Sequence, residues 1–410
     1  MRKKIVDGVS WVGKIDWELR TAHGKEYSTH KGTSYNAYLI EDEKTALIDT
    51  VWEPYADEFV TNLQQEIDLN KIDYVICNHA EPDHSGALPA LMKHIPDTPI
   101  YCTKQATMSL PGHYQQDWNF KPVTTGDILS LGKNTLTFHP IPMVHWPDSM
   151  MTHLSGKNIL FSNDAFGQHF ASEQLFNDLV DQCTLYEEAI KYYANILTPF
   201  NSIIKTRLEN FIAAKLPVDL IATSHGILWR DKPEQIIETY LKWCDSYQED
   251  QITIIYDTMY NATKHMAESI AEGILEQSPK TQVKLFHAVK GDKNDILTEV
   301  FRSKAVLLGS PTFNKGPLAS LSTFLEEFNG LKFTNKKACA FTSYGWSGEA
   351  AREMIAQLES AGFEITGEGF RVNWRMSESE RKAARKFGQE FAKAINLPSA
   401  DESDARFFYN

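Results

Sequence analysis

The densest group of potential metal ligands is one short stretch, His79-Ala80-Glu81-Pro82-Asp83-His84. Two imidazoles and two carboxylates this close together are rare by chance, and a compact loop can direct some of them to one metal ion and some to another. Pro82 should stiffen the turn and exclude a regular helix within it. The alternative is that these side chains are only helix caps and hydrogen-bonded core histidines.

Three further candidate ligands follow other predicted strands. They are His145 in the segment 143–148, Asp164 in 161–164 and His225 in 223–226. Imidazole and carboxylate ligands together suit iron, whereas the absence of thiolates argues against a structural zinc site. If two metal ions lie close together, one carboxylate must bridge them, and Asp164 is the natural choice.

A second set of loops suits a flavin. The loop 258–263 lies between a predicted strand and a predicted helix, where hydroxyl and backbone N–H groups suit a phosphate monoester, although threonine is also an ordinary helix cap. Two later loops, 309–316 and 343–348, also follow strands, and their glycines permit close approach to a flat ring. Together the three loops indicate FMN. The candidate flavin-binding residues are Thr258, Met259, Tyr260, Asn261, Ala262, Thr263, Ser310, Pro311, Thr312, Asn314, Ser343, Tyr344, Gly345, Trp346, Ser347 and Gly348.

The flavin loops are carried by alternating strands and helices in the second half of the chain. Strands are predicted at 252–257, 283–288, 305–309, 338–343 and 363–370, with amphipathic helices at 263–275 and 318–328 among them. This alternation predicts a doubly wound parallel sheet of flavodoxin-like type. A polar stretch around 245–251 separates it from the first half. The expected domains are therefore 1–249, 250–397 and a C-terminal tail, 398–410.

The candidate metal ligands are carried by a more mixed first half. Early strands are predicted at 34–40 and 45–49, and later strands at 74–78, 135–141, 159–162 and 219–223 end in polar tips. Strand tips at one edge of a sheet are where α/β folds gather catalytic groups. The sequence therefore predicts that the ligands from these tips converge.

Composition excludes several classes of function. The net charge is −13, with a pI near 5.5, so neither nucleic acid nor an anionic membrane surface is an expected partner. The N-terminus has no apolar run of a signal peptide, which favours a cytoplasmic location. The five cysteines are scattered, without a Cys-x-x-Cys pair, so we expect buried thiols and neither a disulfide nor a rubredoxin iron centre.

The metal-ligand pattern resembles that of the metallo-β-lactamase fold, whose zinc hydrolases carry His-x-His-x-Asp-His. This chain has Glu81 at the second histidine of that motif, and a harder oxygen ligand favours iron. With the later His-Trp-Pro-Asp-Ser, Ser-Asn-Asp and Ser-His-Gly, the chain resembles the flavodiiron proteins, in the form without a fused rubredoxin domain. The fold implied is an αββα metallo-β-lactamase-like domain followed by a flavodoxin-like domain, in which Asn261 takes the usual glycine position of the phosphate loop.

The resemblance also implies roles for individual residues. His79, Glu81 and His145 would bind one iron, Asp83, His84 and His225 would bind the other, and Asp164 would bridge them. His84 is the least secure ligand, because in this family it can turn away. The resemblance further implies that three residues line the pocket above the irons and donate hydrogen bonds or protons to substrate, namely His23, His169 and Tyr193.

The activity implied by the resemblance is reduction of O2 to water, or of NO to N2O, at two non-haem iron ions supplied with electrons by FMN. A head-to-tail homodimer, or a dimer of dimers, is expected to bring the flavin of one subunit to the irons of another. A separate electron donor, rubredoxin, is expected. The lack of a fused rubredoxin favours O2 over the NO-selective alternative, by analogy alone.

Two other functions remain open from the sequence. The first is a zinc hydrolase fused to a flavodoxin-like module, against which Glu81 argues. The second is a flavin electron carrier whose first half serves only as a scaffold, against which the complete ligand set argues.

Overall fold

The protein was analysed as a computed structural model that describes residues 2–396. It divides into two compact units, of which the first ends at Asp245 and the second begins at Ser246. This division lies slightly before the predicted boundary at 249/250, which falls inside a strand that begins at Glu249. The predicted tail, 398–410, lies outside the described residues.

The first unit is built mainly from two sheets. One has the strand order β1-β2-β7-β8-β9-β10-β11, the other has the order β12-β13-β14-β15-β16, and β3-β6 and β4-β5 form separate pairs. The strands are β1 (Lys3–Val6), β2 (Val9–Trp11), β3 (Lys14–Asp16), β4 (Thr21–Ala22), β5 (Tyr27–Ser28), β6 (Thr33–Tyr35), β7 (Tyr38–Glu41), β8 (Thr45–Ile48), β9 (Ile72–Ile76), β10 (Ile100–Thr103), β11 (Phe120–Val123), β12 (Ile128–Ser130), β13 (Thr135–Pro140), β14 (Met150–Leu154), β15 (Ile159–Asn163) and β16 (Leu220–Thr223).

The helices of this unit are α1 (Ala56–Glu66), α2 (Pro82–Ser85), α3 (Leu88–Leu91), α4 (Ala106–Tyr114), α5 (Gln182–Tyr192), α6 (Asn201–Ala213) and α7 (Glu234–Trp243). Alternate residues of β7 face opposite layers, as the two-residue period of a strand requires. Leu39 packs with Phe59 and Leu63 of α1, whereas Tyr38 packs with Phe161 of the second sheet. The two sheets therefore stack face to face, with helices outside, and the predicted metallo-β-lactamase-like fold is confirmed.

The second unit is a parallel sheet with the order β18-β17-β19-β20-β21, in which β22 also pairs with β20. Its elements are β17 (Glu249–Tyr256), α8 (Ala262–Gln277), β18 (Gln282–His287), α9 (Lys293–Arg302), β19 (Ser303–Pro311), α10 (Ala319–Leu331), β20 (Lys337–Tyr344), α11 (Ala350–Ser360), β21 (Glu364–Ile365), β22 (Phe370–Asn373) and α12 (Glu378–Ile395). This strand order is that of flavodoxin-like folds, so the predicted second fold is confirmed.

Two of the predicted strands are interrupted. The strand predicted at 363–370 is split into β21 and β22, because Gly367 and Gly369 both take positive φ angles between them. The strand predicted at 34–40 is split into β6 and β7 at Asn36, whose side-chain amide donates to the backbone carbonyls of Thr223 and Gly226.

Two further questions about the described chain are whether a helix could cross a membrane and whether any cysteines are paired. Within residues 2–396, no helix combines the length and the apolar character needed to cross a membrane. All five cysteines are unpaired, and Cys183 is exposed whereas the other four are buried.

Candidate functional site

Four of the predicted ligands lie just after β9, at the carboxyl end of a strand buried in the first sheet. His79 and Glu81 belong to the connecting loop, and Asp83 and His84 lie in α2. The expectation that Pro82 excludes a helix here is wrong, because α2 begins at Pro82. Proline suits the first helical position, where its missing N–H has no partner to lose.

The other three ligands also follow strands. His145 lies in the turn between β13 and β14, Asp164 follows β15 and His225 follows β16. Since β15 and β16 are parallel neighbours, their carboxyl ends lie side by side. The structure therefore brings all seven predicted ligands to one edge of the stacked sheets.

Asp164 lies at the centre of this cluster. Its Oδ1 is 3.1 Å from Nε2 of His84 and 3.5 Å from Nε2 of His225. Its Oδ2 is 3.3 Å from Nε2 of His145 and 3.7 Å from Nε2 of His79. Each carboxylate oxygen thus faces a different pair of histidines, which is the arrangement that a bridging ligand needs.

Two further carboxylates complete the two groups of ligands. Oε2 of Glu81 lies 3.2 Å from Nε2 of His79 and 3.5 Å from Nε2 of His145. Oδ1 of Asp83 lies 3.3 Å from Nε2 of His84, and its Oδ2 lies 3.2 Å from Nε2 of His225. His84 therefore points into the cluster. The grouping matches the division into two ligand triads that the resemblance implied.

The donor set suits two cations. Four buried atoms of the cluster have no hydrogen-bond partner among residues 2–396, namely Oδ1 of Asp83, Oδ2 of Asp164 and Nε2 of His84 and His145. Leaving such atoms unsatisfied is costly, and metal coordination would remove the cost. Burial lowers the pKa of His145, but the nearby carboxylates of Asp164 and Glu81 outweigh burial and raise this pKa to about 10. The cluster therefore attracts positive charge, in the form of protons or of metal ions.

Hydrogen bonds behind the ligands fix their orientation. The buried carboxylate of Asp148 accepts from Nδ1 of His79 at 2.9 Å and from the backbone N–H of Ala80 at 2.6 Å. Nδ1 of His225 is 2.8 Å from the carbonyl of Ser34. Both bonds leave the opposite nitrogen, Nε2, directed at the cluster. Sequence reasoning did not assign Asp148 a role, although it lies three residues after His145.

A cavity of about 510 Å³ opens above the cluster and is lined by Glu81 and Asp83. His23 and His169, two of the three residues expected in the pocket, also line it. Nε2 of His23 is 3.6 Å from Oε1 of Glu81. Nδ1 of His169 is 2.8 Å from the Thr33 hydroxyl, and its buried Nε2 has no hydrogen-bond partner among the described residues.

The prediction for Tyr193 is corrected by the structure. Its hydroxyl donates to Oδ1 of Asn201, and its ring packs 4.9 Å from that of Tyr240, away from the ligands. The preceding residue, Tyr192, instead has its ring 5.3 Å from the His169 ring. Successive helical side chains point about 100° apart, so only one of the two tyrosines can face the cluster. Burial and the nearby carboxylate of Asp164 raise the pKa of Tyr192, which keeps its phenol protonated.

The predicted flavin loops enclose a separate cavity of about 440 Å³ at the carboxyl ends of β17, β19 and β20. The buried hydroxyl of Thr258 has no hydrogen-bond partner within the described chain, so it is available for a phosphate at the start of α8. Asn261 has a φ of 63°, in the left-handed region that favours glycine and that asparagine tolerates better than most residues. The cavity, its loops and this hydroxyl suit FMN.

Not every predicted flavin residue lines this cavity. The predicted residues that do are Thr258, Met259, Tyr260, Ala262, Pro311, Thr312, Asn314, Ser343, Tyr344, Gly345 and Trp346. Asn261, Thr263, Ser310, Ser347 and Gly348 are not part of the lining. Thr263 instead bonds the Ser343 hydroxyl, and Ser310 accepts from the N–H of Leu318. Phe313, Trp374 and Arg375 line the cavity but were not predicted, because the last two lie beyond the loops that the glycines marked.

Two family models match the chain. The model described as ODP family beta lactamase matches residues 33–226, and the model described as Flavodoxin matches residues 254–388. Each match falls within one of the two structural units.

Among curated proteins, an anaerobic nitric oxide reductase flavorubredoxin of Escherichia coli K12 is 52% identical over 401 residues, covering 97% of this chain and 84% of the relative. A protein of the same name from Aliivibrio fischeri is 53% identical over 391 residues, covering 95% and 79%. Among solved structures, the rubredoxin oxygen:oxidoreductase of Desulfovibrio gigas superposes with a TM-score of 0.93 at 34% identity, covering 96% and 98% of the two chains. The flavodiiron protein of Giardia intestinalis gives 0.92 at 32%, covering 96% and 97%.

Proposed function

This chain belongs to the flavodiiron protein family, and on that premise we propose that it reduces nitric oxide to nitrous oxide. It is an oxidoreductase whose cofactors are FMN, bound by the flavodoxin domain, and a non-haem di-iron centre, bound by the β-lactamase-like domain. The bound irons supply the redox chemistry on the gas, with electrons from the flavin.

The observation that carries the proposal is the position of Asp164 between two groups of ligands. In each group, the histidines are joined by a second carboxylate, from Glu81 or Asp83. These residues would hold two adjacent metal ions, and such a pair would supply the redox chemistry that joins two NO molecules. A structural scaffold would have no need for four buried atoms without hydrogen-bond partners, so the scaffold alternative is disfavoured.

The chain's own residues would bind and protonate the substrate. Formation of N2O and water from two NO molecules consumes two electrons and two protons, so the pocket must provide hydrogen-bond donors. Nε2 of His169 is free to bond a ligand, and Tyr192 carries a protonated phenol beside it. Tyr35 and Trp52 add aromatic walls that limit water in the same cavity.

The preference for NO rests on the relatives' names. The curated relatives at about half identity are named nitric oxide reductases, whereas the less similar solved structure from Desulfovibrio gigas is named an oxygen oxidoreductase. These names favour the alternative to O2, so the preference for O2 expected from the sequence is not retained. Reduction of O2 to water is the second candidate, because the same ligands serve either gas.

Rapid mixing of the reduced protein tests the proposal. The iron- and FMN-loaded protein is reduced anaerobically, mixed with NO or with O2, and followed by flavin absorbance. We expect faster flavin reoxidation by NO than by O2. Glu81→Gln is the control, because it removes one ligand and leaves the flavin cavity intact. Equal rates in the variant would show that the gas oxidises the flavin without the metals, and a faster reaction with O2 would favour the second candidate.

The electron donor and the assembly are part of the same proposal. A rubredoxin-type donor is supported by the relatives' names, flavorubredoxin and rubredoxin oxygen:oxidoreductase, and we propose that it is a separate protein. We propose a head-to-tail homodimer, or a dimer of such dimers, in which one subunit's flavin serves the other's irons. Mixed dimers of Glu81→Gln with Gly345→Leu, which fills the flavin cavity, should recover activity that neither variant has alone. Inactive mixed dimers would contradict the head-to-tail arrangement.

A further inference from the structure

A third cavity lies in the first unit, apart from the ligand cluster and from the flavin loops. It has a volume of about 250 Å³ and is enclosed by β13, β14, α6 and α7. None of its lining residues is one of the seven predicted metal ligands. Thr125, Asn210 and Ala214 are exposed and mark its mouth.

The inner end of this cavity is apolar and buried. Val144, Met151, Ala165 and Ile204 line it and are at most 4% exposed. The ring of Tyr240 is also buried there, and the tyrosine hydroxyl accepts from the backbone N–H of Phe166. Apolar carbon therefore surrounds any molecule that enters beyond the mouth.

The inner end also adjoins the metal ligands along the chain. Val144 immediately precedes His145, and Ala165 immediately follows Asp164. Adjacent Cα atoms are about 3.8 Å apart, so Val144 and Ala165 each lie directly beside a ligand residue. The side chains of the ligands point into the cluster, whereas those of Val144 and Ala165 line the third cavity.

The size and lining of the cavity define the kind of ligand it accepts. A water molecule takes about 30 Å³ of liquid volume, and an enclosed apolar cavity of about 150 Å³ stays dry and binds xenon or benzene, so the buried apolar end is large enough for such a guest. Buried Nε2 of His139 lacks a hydrogen-bond partner among residues 2–396 and could hold one water without filling the space. Arg207 also lines the cavity and is half-buried, whereas the fully buried lining residues carry no charge, which disfavours an ion at the inner end.

We propose that this cavity binds the dissolved diatomic gas and acts as a reservoir beside the di-iron site. The inference rests on the proposed function, because only an enzyme with an apolar gaseous substrate would use such a store. The gas partitions from water into the apolar space and passes the side chains of Val144 and Ala165 during their rapid fluctuations. The cavity above the ligands, which is lined by Glu81, Asp83 and His169, then serves the delivery of protons.

Xenon under pressure tests the site without any turnover. Crystals of the full-length, iron- and FMN-loaded protein are pressurised with xenon, and its anomalous signal is located. Leu208→Trp, in α6, projects a larger ring into the cavity. Ile212→Trp is the matched control, one turn further along the same helix, at an exposed position outside the lining. We expect xenon in the wild type and in Ile212→Trp, and its loss in Leu208→Trp.

The supply role is measured as the second-order rate constant for NO binding to the reduced protein. We expect Leu208→Trp to lower this rate constant about fourfold relative to Ile212→Trp. A fourfold change is the enrichment of the gas in the cavity that is expected for burying a group of methylene size. An empty cavity in the wild type under xenon would overturn the proposal. Loss of xenon with an unchanged rate constant would overturn the reservoir role.

Failure of the reservoir can be told apart from failure of the proposed function. If neither gas reoxidises the reduced flavin, the function is wrong, whereas the xenon map still reports on the cavity. If Leu208→Trp does not fold with its iron and FMN, Ile204→Trp at the inner end replaces it, and the wild-type map decides the site independently.

Discussion

Asp148 is expected to control iron affinity without touching the metal. Its Oδ2 accepts two hydrogen bonds, from Nδ1 of His79 and from the N–H of Ala80, and the residue is only 1% exposed. In Asp148→Asn, the amide oxygen can accept at most part of these two hydrogen bonds, and the negative charge beside His79 is lost. Removing such a partner typically weakens metal affinity about 10–100-fold, or about 1.4–2.8 kcal/mol.

The loss should be confined to one of the two irons. His79 belongs to the group with Glu81 and His145, whereas His225 is oriented independently by the Ser34 carbonyl. Titration with a coloured chelator should therefore remove one iron from Asp148→Asn at a concentration that leaves the wild type intact. The second iron should be removed at a chelator concentration close to the one that the wild type requires.

A surface carboxylate provides the control for Asp148→Asn. Asp57 is exposed in the first turn of α1, so Asp57→Asn changes the net charge equally but leaves the ligands untouched. Its chelator titration should match the wild type. If Asp148→Asn also retained wild-type iron affinity, the argument that this carboxylate orients His79 would be refuted.

Three further predictions test separate parts of the structure. Tyr192→Phe should slow NO reduction, because its ring lies beside His169. Tyr193→Phe should leave the rate unchanged but lower the free energy of unfolding in urea by about 1 kcal/mol, because its hydrogen bond to Asn201 is lost. Equal rates in both variants would refute the pocket assignment. Thr33→Val should weaken azide binding to the oxidised centre about 2–12-fold, because the His169 ring loses its hydrogen bond to the Thr33 hydroxyl. Thr33→Ser should restore the azide affinity. If serine did not restore it, a hydrogen-bonding role for Thr33 would be contradicted. Lys336→Met should lower the free energy of unfolding by at least about 2 kcal/mol, because two buried backbone carbonyls and one half-buried carbonyl lose their donor. An unchanged urea midpoint would contradict this.

The convergence of the ligands was predictable from the sequence. Each ligand follows a strand that its apolar pattern locates, and α/β folds gather functional groups at the carboxyl ends of strands. The flavin loops were predictable for the same reason. What the pattern did not contain was side-chain direction within irregular segments. Tyr192 and Tyr193 lie where α5 passes into a π-helical turn at Tyr193–Leu197, so sequence position alone could not decide between them.

Other features depended on distant parts of the chain. Trp374 lines the flavin cavity through the pairing of β22 with β20, and its backbone N–H donates to the carbonyl of Tyr344. Asp148 acquires its role only when its turn folds against the loop after β9. Neither contact is indicated by a pattern in the neighbouring sequence. Such contacts were visible only once the sheets were assembled.

The central claim, that this chain reduces NO with its flavin and its di-iron site, is tested most directly by the product of a single turnover. The fully reduced, loaded protein is mixed anaerobically with a limiting amount of NO, and N2O is measured by gas chromatography beside Glu81→Gln. We predict one N2O for every two NO consumed by the wild type and none from the variant. Absence of N2O from the wild type, or an equal yield from Glu81→Gln, would contradict the account.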